Sequence, residues 1–190
     1  YLTTNTIMTI GFTGYNMFVR ESGIKNSKQH KHIKEHDVPY IEIISIDFQK
    51  DATAIYELLK STHKDDPDGF SLIEYYRFFQ YYDRSCTIYY HDVPLVYIYD
   101  NNKKCFPFIE VPVNKILPNN KDNDAKKEIQ VGTFDMHVMM FMILSIRYRV
   151  MDEKNMMIMY NGLVSHMIQI RNYYFGKTGK TLYDDTVFRA

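Results

Sequence analysis

The segment Arg84 to Phe108, RSCTIYYHDVPLVYIYDNNKKCFPF, decides the fold class. Its pattern predicts three short strands, Cys86–His91, Leu95–Tyr99 and Cys105–Ile109, because Ile, Val, Tyr and Thr suit a pleated, half-buried surface. The joins are turn-like: His91-Asp92-Val93-Pro94 between the first two, Asp100 to Lys104 between the last two. Such a β-meander gives an α+β protein with a mixed or antiparallel sheet, and it is an architecture, not a catalytic motif.

Composition bounds what the sheet can belong to. With 190 residues, 45% hydrophobic and 15% aromatic, the chain can bury a sizeable core in one domain or slightly more. Its formal net charge is zero, which excludes a global field for nucleic acid or an anionic membrane, so any such binding must come from a local patch. The longest apolar run, Met136 to Ile146, contains His137 and is too short to span a bilayer. No signal peptide is visible. A chain that opens at Tyr1 and closes at Phe188-Arg189-Ala190 reads as a fragment of something longer. Cys86 and Cys105, on different strands of the expected meander, could face each other across the sheet and are read as small buried hydrophobes.

Around the meander the punctuation is clear. Phe12, Tyr15, Phe18 and Val19 give a short amphipathic helix over Gly11 to Ser22. Lys25 to Asp37, KNSKQHKHIKEHD, has no apolar period and is a loop or mobile insert. Tyr40 to Phe48 is a buried strand. Asp51 is expected to cap a helix from Ala52 to Thr62 with Ile55, Leu58 and Leu59 on one face, and Lys64 to Gly69 breaks it. Phe70 to Tyr82 is ambiguous, with helix favoured for its start and strand for its end. Residues 112–131 read as a polar linker between an α+β lobe, 1–111, and a C-terminal helical hairpin, 132–190. In that hairpin Thr133 opens a helix to about Val150, with Met136, Met139, Met140, Ile143 and Ile146 inside. Asp152 caps a second to about Tyr174, with Met156, Met159, Tyr160, Leu163, Met167 and Ile170 inside.

Candidate chemistry is sparse. His30, His32 and His36 could bind a metal, but a flexible Lys-rich loop gives them no scaffold. Gly176 to Thr181, GKTGKT, imitates a phosphate loop, yet Tyr174 stands where its first glycine belongs and a helix precedes it, so Gly176 reads as a helix C-cap. Glu42 and Asp47 are five apart on a strand and point to opposite faces. The tyrosines of 75–82 and 88–99 could stack on bases, but cross-strand packing explains them as well. No Ser-His-Asp or Cys-His arrangement follows from spacing, and no catalytic, cofactor or metal residue is assigned.

The order of these features resembles the C-terminal part of the poly(A) polymerase catalytic subunit of large DNA viruses, the group with poxviruses, mimiviruses and African swine fever virus. The matching stretches are Ile10 to Tyr15 opening a helix, the strand before Asp47, Ile98 to Phe108, and the hairpin from Gly132; Asn101 to Phe108 and Arg171 to Tyr174 are most like the mimivirus members. The resemblance implies adenylyl transfer from ATP to mRNA 3′ ends, with Mg2+ or Mn2+ held by an Asp-x-Asp pair and a third carboxylate beside a Gly-Gly or Gly-Ser turn. Here Gly11-Phe12 replaces that turn, and no Asp-x-Asp lies on an expected strand; Asp122-Asn123-Asp124 lies in the linker. The catalytic carboxylates are therefore expected outside this sequence, and Gly11 to Asp47 could be a decayed copy of the same unit, a degenerate nucleotidyltransferase-like lobe.

The expectation is thus a non-catalytic lobe with no cofactor of its own, ATP and the divalent metals belonging to the whole enzyme. Its expected partners are a catalytic domain of the same chain, RNA, and either a second copy or a processivity subunit, with no membrane and a location in the virion or the host cytoplasm. RNA contacts are sought first at Arg84, Lys103 and Lys104, then at Lys28, Lys31 and Lys34 in the basic loop. The rival is a viral protein-interaction module, using its Met-rich helices or aromatic strands, with no nucleic-acid role.

Overall fold

A computed structural model describes residues 2, 7–78, 83–101, 103–116 and 127–188. Strands β1 (Ile7–Ile10), β2 (Ile41–Ser45), β3 (Phe70–Tyr75), β4 (Ser85–Tyr90), β5 (Val93–Asp100), β6 (Phe108–Pro112) and β7 (Glu128–Gly132) form one sheet in the order β3-β4-β5-β2-β1-β7-β6. The pairings β1–β7 and β2–β5 are parallel, and the other four are antiparallel. Helices α1 (Gly11–Ser22), α2 (Phe48–Thr62), the single turn α3 (Val113–Ile116), α4 (Phe134–Val150) and α5 (Lys154–Thr178) clothe it.

The period of two along the central strands divides the core between the two faces. Met8, Ile10 and Ile44 turn towards α1, α4 and α5, where Phe18, Phe134, Met140, Leu163 and Met167 complete the larger apolar cluster. Ile7 and Ile43 turn the other way with Ile88 and Ile98, against Phe48, Ala52 and Ile55 of α2. Helix α1 is nearly all buried because it lies between the sheet and the α4–α5 hairpin. No described helix is long and apolar enough to cross a membrane.

Several local expectations change. Strands β4 and β5 form the anticipated hairpin, but the next strand starts later, at Phe108, and pairs with β7 at the far edge instead of with β5. Pro107 has no N–H for a ladder, and its carbonyl instead accepts from Thr133 N at 3.1 Å. The meander is nevertheless real: its outer strand is β3, so the start of Phe70–Tyr82 is strand and not helix, fixed by pairing from Phe70↔Tyr90 to Tyr75↔Ser85. Phe79, Tyr81 and Tyr82 lie outside the described residues, as do Asp122 and Asp124 of the expected linker. The ends of that linker supply Pro112 of β6, all of α3 and Glu128 to Val131 of β7. Cys86 is buried opposite Ile98, whereas Cys105 is exposed in the loop beyond β5, so the two do not face each other.

Helix α2 begins earlier than expected, with Asp47 at its N-cap, and Asp51 sits in its first turn accepting from Ser45 Oγ at 2.6 Å. Leu58 and Ile146, expected inside, are 49% and 44% exposed. Glu153, not Asp152, is the N-cap of α5, which runs through Gly176 to a left-handed C-cap at Gly179, φ 66°. That glycine takes the backbone conformation in which side chains are strained, so the helix stops there and not at Gly176. Thr133 caps α4 as its sequence predicts, accepting from Met136 N.

Candidate functional site

The tightest junction in the molecule is the passage from β1 into α1. Ile10 pairs with Glu42 on the neighbouring strand, and Gly11 turns into the helix with φ 70°. A Cβ on Gly11 would lie 1.8 Å from Glu42 Oε2, so the position needs glycine for both its conformation and its space. Glu42 is 1% exposed; Tyr99 Oη donates to its Oε1 at 3.5 Å, while Oε2 has no partner. Burial pushes its carboxyl up to about 7, against the opposing pull of the Phe12 N–H and the Tyr99 hydroxyl. One turn along α1, a Cβ on Gly14 would meet His137 Nε2 at 1.9 Å. His137 is fully buried, its Nδ1 bonded to the Thr133 carbonyl at 3.0 Å and its Nε2 unpaired, and burial pushes it down to about 4. Glu42 and His137 were not singled out as a buried pair by the sequence: only the two glycines that admit them would have signalled it.

The first group of RNA-contact candidates lies at one end of the sheet. Arg84 precedes β4; its Nε and Nη2 both donate to Asp100 Oδ2 at 3.4 Å, and its guanidinium lies 4.9 Å from the centre of the Phe48 ring. Its charge is therefore matched locally, in an open cleft of about 640 Å3 that it shares with Glu74, Tyr75, Arg77 and Asp83. Lys103 is exposed in the left-handed conformation beyond β5, φ 56°, and Lys104 is half-buried beside it. The loop holding them is tied to β2 by Asn101 N, which donates to Ser45 O at 2.8 Å.

The second group is brought onto a scaffold that spacing did not reveal. Ile33 is 1% exposed and anchors the basic loop in the core. Asn16 of α1 donates to His36 O at 2.7 Å and accepts from His36 N at 2.9 Å, and Arg20 holds Glu35 at 2.5 Å. The loop is thereby laid along α5. The His32 ring stands 5.5 Å from that of His166, and His30 stands 5.7 Å from Tyr173. Lys28, Lys31 and Lys34 remain exposed.

The donor sets do not suit the divalent metals that the family resemblance implies. Glu42 is sealed against Gly11, Asp51 is engaged by Ser45 and Asp100 by Arg84, while Asp47, at the N-cap position of α2, is exposed and makes no side-chain cap bond. No group of three His, Cys, Asp or Glu among the described residues is placed to hold a metal ion, and the loop histidines do not make one with His166.

A mixed seven-stranded sheet with helices on both faces defines an α+β lobe. The crystal structure of the Megavirus polyadenylate synthase matches it with a TM-score of 0.78, over 97% of this chain and 33% of that one, at 24% identity. The family model described as "APMV, Putative poly(A) polymerase, catalytic subunit, C-terminal" matches residues 15–190, and the chain belongs to that family. It is 28% identical over 189 residues to the "Putative poly(A) polymerase catalytic subunit" of Acanthamoeba polyphaga mimivirus, covering 94% of this chain and 32% of the relative. The chain spans about a third of the length of the relatives it matches.

Proposed function

We propose that this chain serves as the non-catalytic C-terminal lobe of a viral polynucleotide adenylyltransferase, the enzyme that adds AMP from ATP to mRNA 3′ ends. The observation that carries the reading is the family match over residues 15–190, which takes in every element from within α1 to the C-terminus. The engaged state of Glu42, Asp51 and Asp100 supports a lobe that leaves metal-assisted transfer to carboxylates elsewhere. ATP and Mg2+ or Mn2+ then belong to the catalytic domain, and the lobe packs on that domain and borders the RNA path. The virion or the host cytoplasm is the location in keeping with this role.

One observation favours a protein contact as well. Met142, Ile146 and Val150 lie four apart along α4 and are 52%, 44% and 73% exposed, an apolar stripe on the outside of the hairpin. It suits the catalytic domain, a second copy or a processivity subunit, and it is all that an interaction module would need. Reading the gene upstream of Tyr1 in frame separates the two. The polymerase reading expects a Gly-Gly or Gly-Ser turn followed within about a dozen residues by Asp-x-Asp on an apolar strand, a donor pair suited to two metals. An upstream region without those carboxylates would overturn it in favour of the interaction module.

A further inference from the structure

The loop 25–36 and the helix α5 against which it lies form an organised, exposed basic face among the described residues. A segment this polar, without apolar period, has no sequence reason to hold one shape. It is nevertheless fixed at three points: Ile33 in the core, Asn16 on both main-chain groups of His36, and Arg20 on Glu35. The consequence is a ladder of rings. His30 and His32 are 6.2 Å apart; His32 faces His166 at 5.5 Å, and His30 meets Tyr173 edge-on at 5.7 Å. His166 is braced from beneath by Tyr15, whose hydroxyl is 3.1 Å from its Nδ1, and Lys177 reaches over Tyr173 at 5.9 Å from the ring centre.

The charge around this ladder is mainly basic, with an exposed acid, Asp37, at the loop's end beside His36. Glu35, the other carboxylate of the loop, is already shared by Arg20 and by Lys25 at 3.5 Å. Lys28, Lys31 and Lys34 enter no ion pair among the described residues and stand exposed at a spacing of three. Burial, with His32 and His36 nearby, holds His166 below the usual imidazole range, and its ring backs that of His32 while the lysines present the charge. Rings of this kind stack on unpaired bases, and lysines beside them track the phosphates.

Resting on the reading of the chain as a polyadenylating enzyme's lobe, we propose that His32, His166 and Tyr173 with Lys28, Lys31 and Lys34 form a binding face for single-stranded RNA. The lysines meet successive phosphates and the exposed His32 ring stacks on a base. The six named side chains do not read sequence, because none of them offers a bidentate donor and acceptor pair to a base edge.

The test uses the full gene product and fluorescence anisotropy with two labelled probes, a short oligoadenylate and an abasic phosphodiester strand of the same length. Replacing Lys28, Lys31 and Lys34 together by Ala should reduce the slope of log affinity against log salt by about 2, the release expected for three single-strand phosphates. His32→Ala should weaken oligoadenylate by about fivefold or more while leaving the abasic strand unchanged, the loss of one stacked base. All four positions are on the exposed loop, and unchanged circular dichroism checks the fold. An unchanged salt slope in the triple variant overturns the proposal, and so does equal weakening of both probes by His32→Ala, which would make the face a general polyanion patch. Incorporation of AMP by the unmodified product is scored in parallel. If it occurs while the slope is unmoved, this inference fails alone; if it is absent, the polymerase reading fails.

Discussion

Two buried titratable residues, one acid and one base, sit beneath α1 with glycines pressed on them, and each makes stability depend on pH. Glu42 in the folded chain lies above its ordinary value of 4.5, at about 7, so the stability its neutral form contributes is complete below 4.5 and is lost as pH rises through 7. His137 lies below 6.5, at about 4, so its contribution is complete above 6.5 and is lost as pH falls through 4. Each is worth about 3 kcal/mol at 1.36 kcal/mol per pKa unit. Between pH 4.5 and 6.5 the two slopes oppose each other, and the native protein should show little change there from this pair. Glu42→Gln removes one of them: its urea-derived stability should climb by up to about 3 kcal/mol from pH 4 to 6.5 and exceed the native value at pH 8. Parallel pH profiles for the two proteins would refute the assignment. Gly11→Ala meets both a positive φ and Glu42 Oε2, and should cost about 3 kcal/mol or more by the same measurement. A loss within about 0.5 kcal/mol, as at ordinary surface positions, would show that the junction can relax.

At the scale of elements, the basic loop is the case where long-range contacts override local pattern. Asn16→Ala removes both bonds to the His36 main chain and leaves those groups half-buried, a cost of about 1–3 kcal/mol. It should also speed amide exchange over residues 25–37 far more than in α4; equal protection in both variants would show that Ile33 and Arg20 suffice. The same contrast explains what could be read from the chain. Elements whose signals are local were legible: α1, the β4–β5 hairpin, and α4 from its Thr133 cap with most of its inner methionines. Elements fixed by distant partners were not. Strand β6 pairs with β7, whose sequence lies beyond a polar stretch, and β3 carries a pattern that only its pairing with β4 decides. In the candidate site, Lys28, Lys31 and Lys34 were visible as charges, but His166 and Tyr173, far along the sequence on α5, gave no sign that they back the loop. Arg84 was visible too, while its partner Asp100, which the sequence pattern assigns to a turn, is the last residue of β5.

As a whole molecule, the lobe has a sheet closed over by helices, a basic face on one side of the hairpin and an apolar stripe, Met142 to Val150, along α4. The stripe predicts that Ile146→Glu weakens association with the catalytic domain without unfolding the lobe, since the residue is 44% exposed. Size-exclusion chromatography of the lobe mixed with the separately expressed remainder of the gene product should show one complex for the native pair and two species for the variant. Two complexes of equal stability would place the domain contact elsewhere. The central claim, a lobe that serves polyadenylation without performing the transfer, is met most directly by following labelled ATP into an oligoadenylate primer with Mg2+ or Mn2+. The account predicts that the full gene product extends the primer, that the product lacking residues 7–188 does so poorly or not at all, and that the 190-residue chain alone incorporates no AMP. Extension by the isolated chain, or none by the full product, would contradict it.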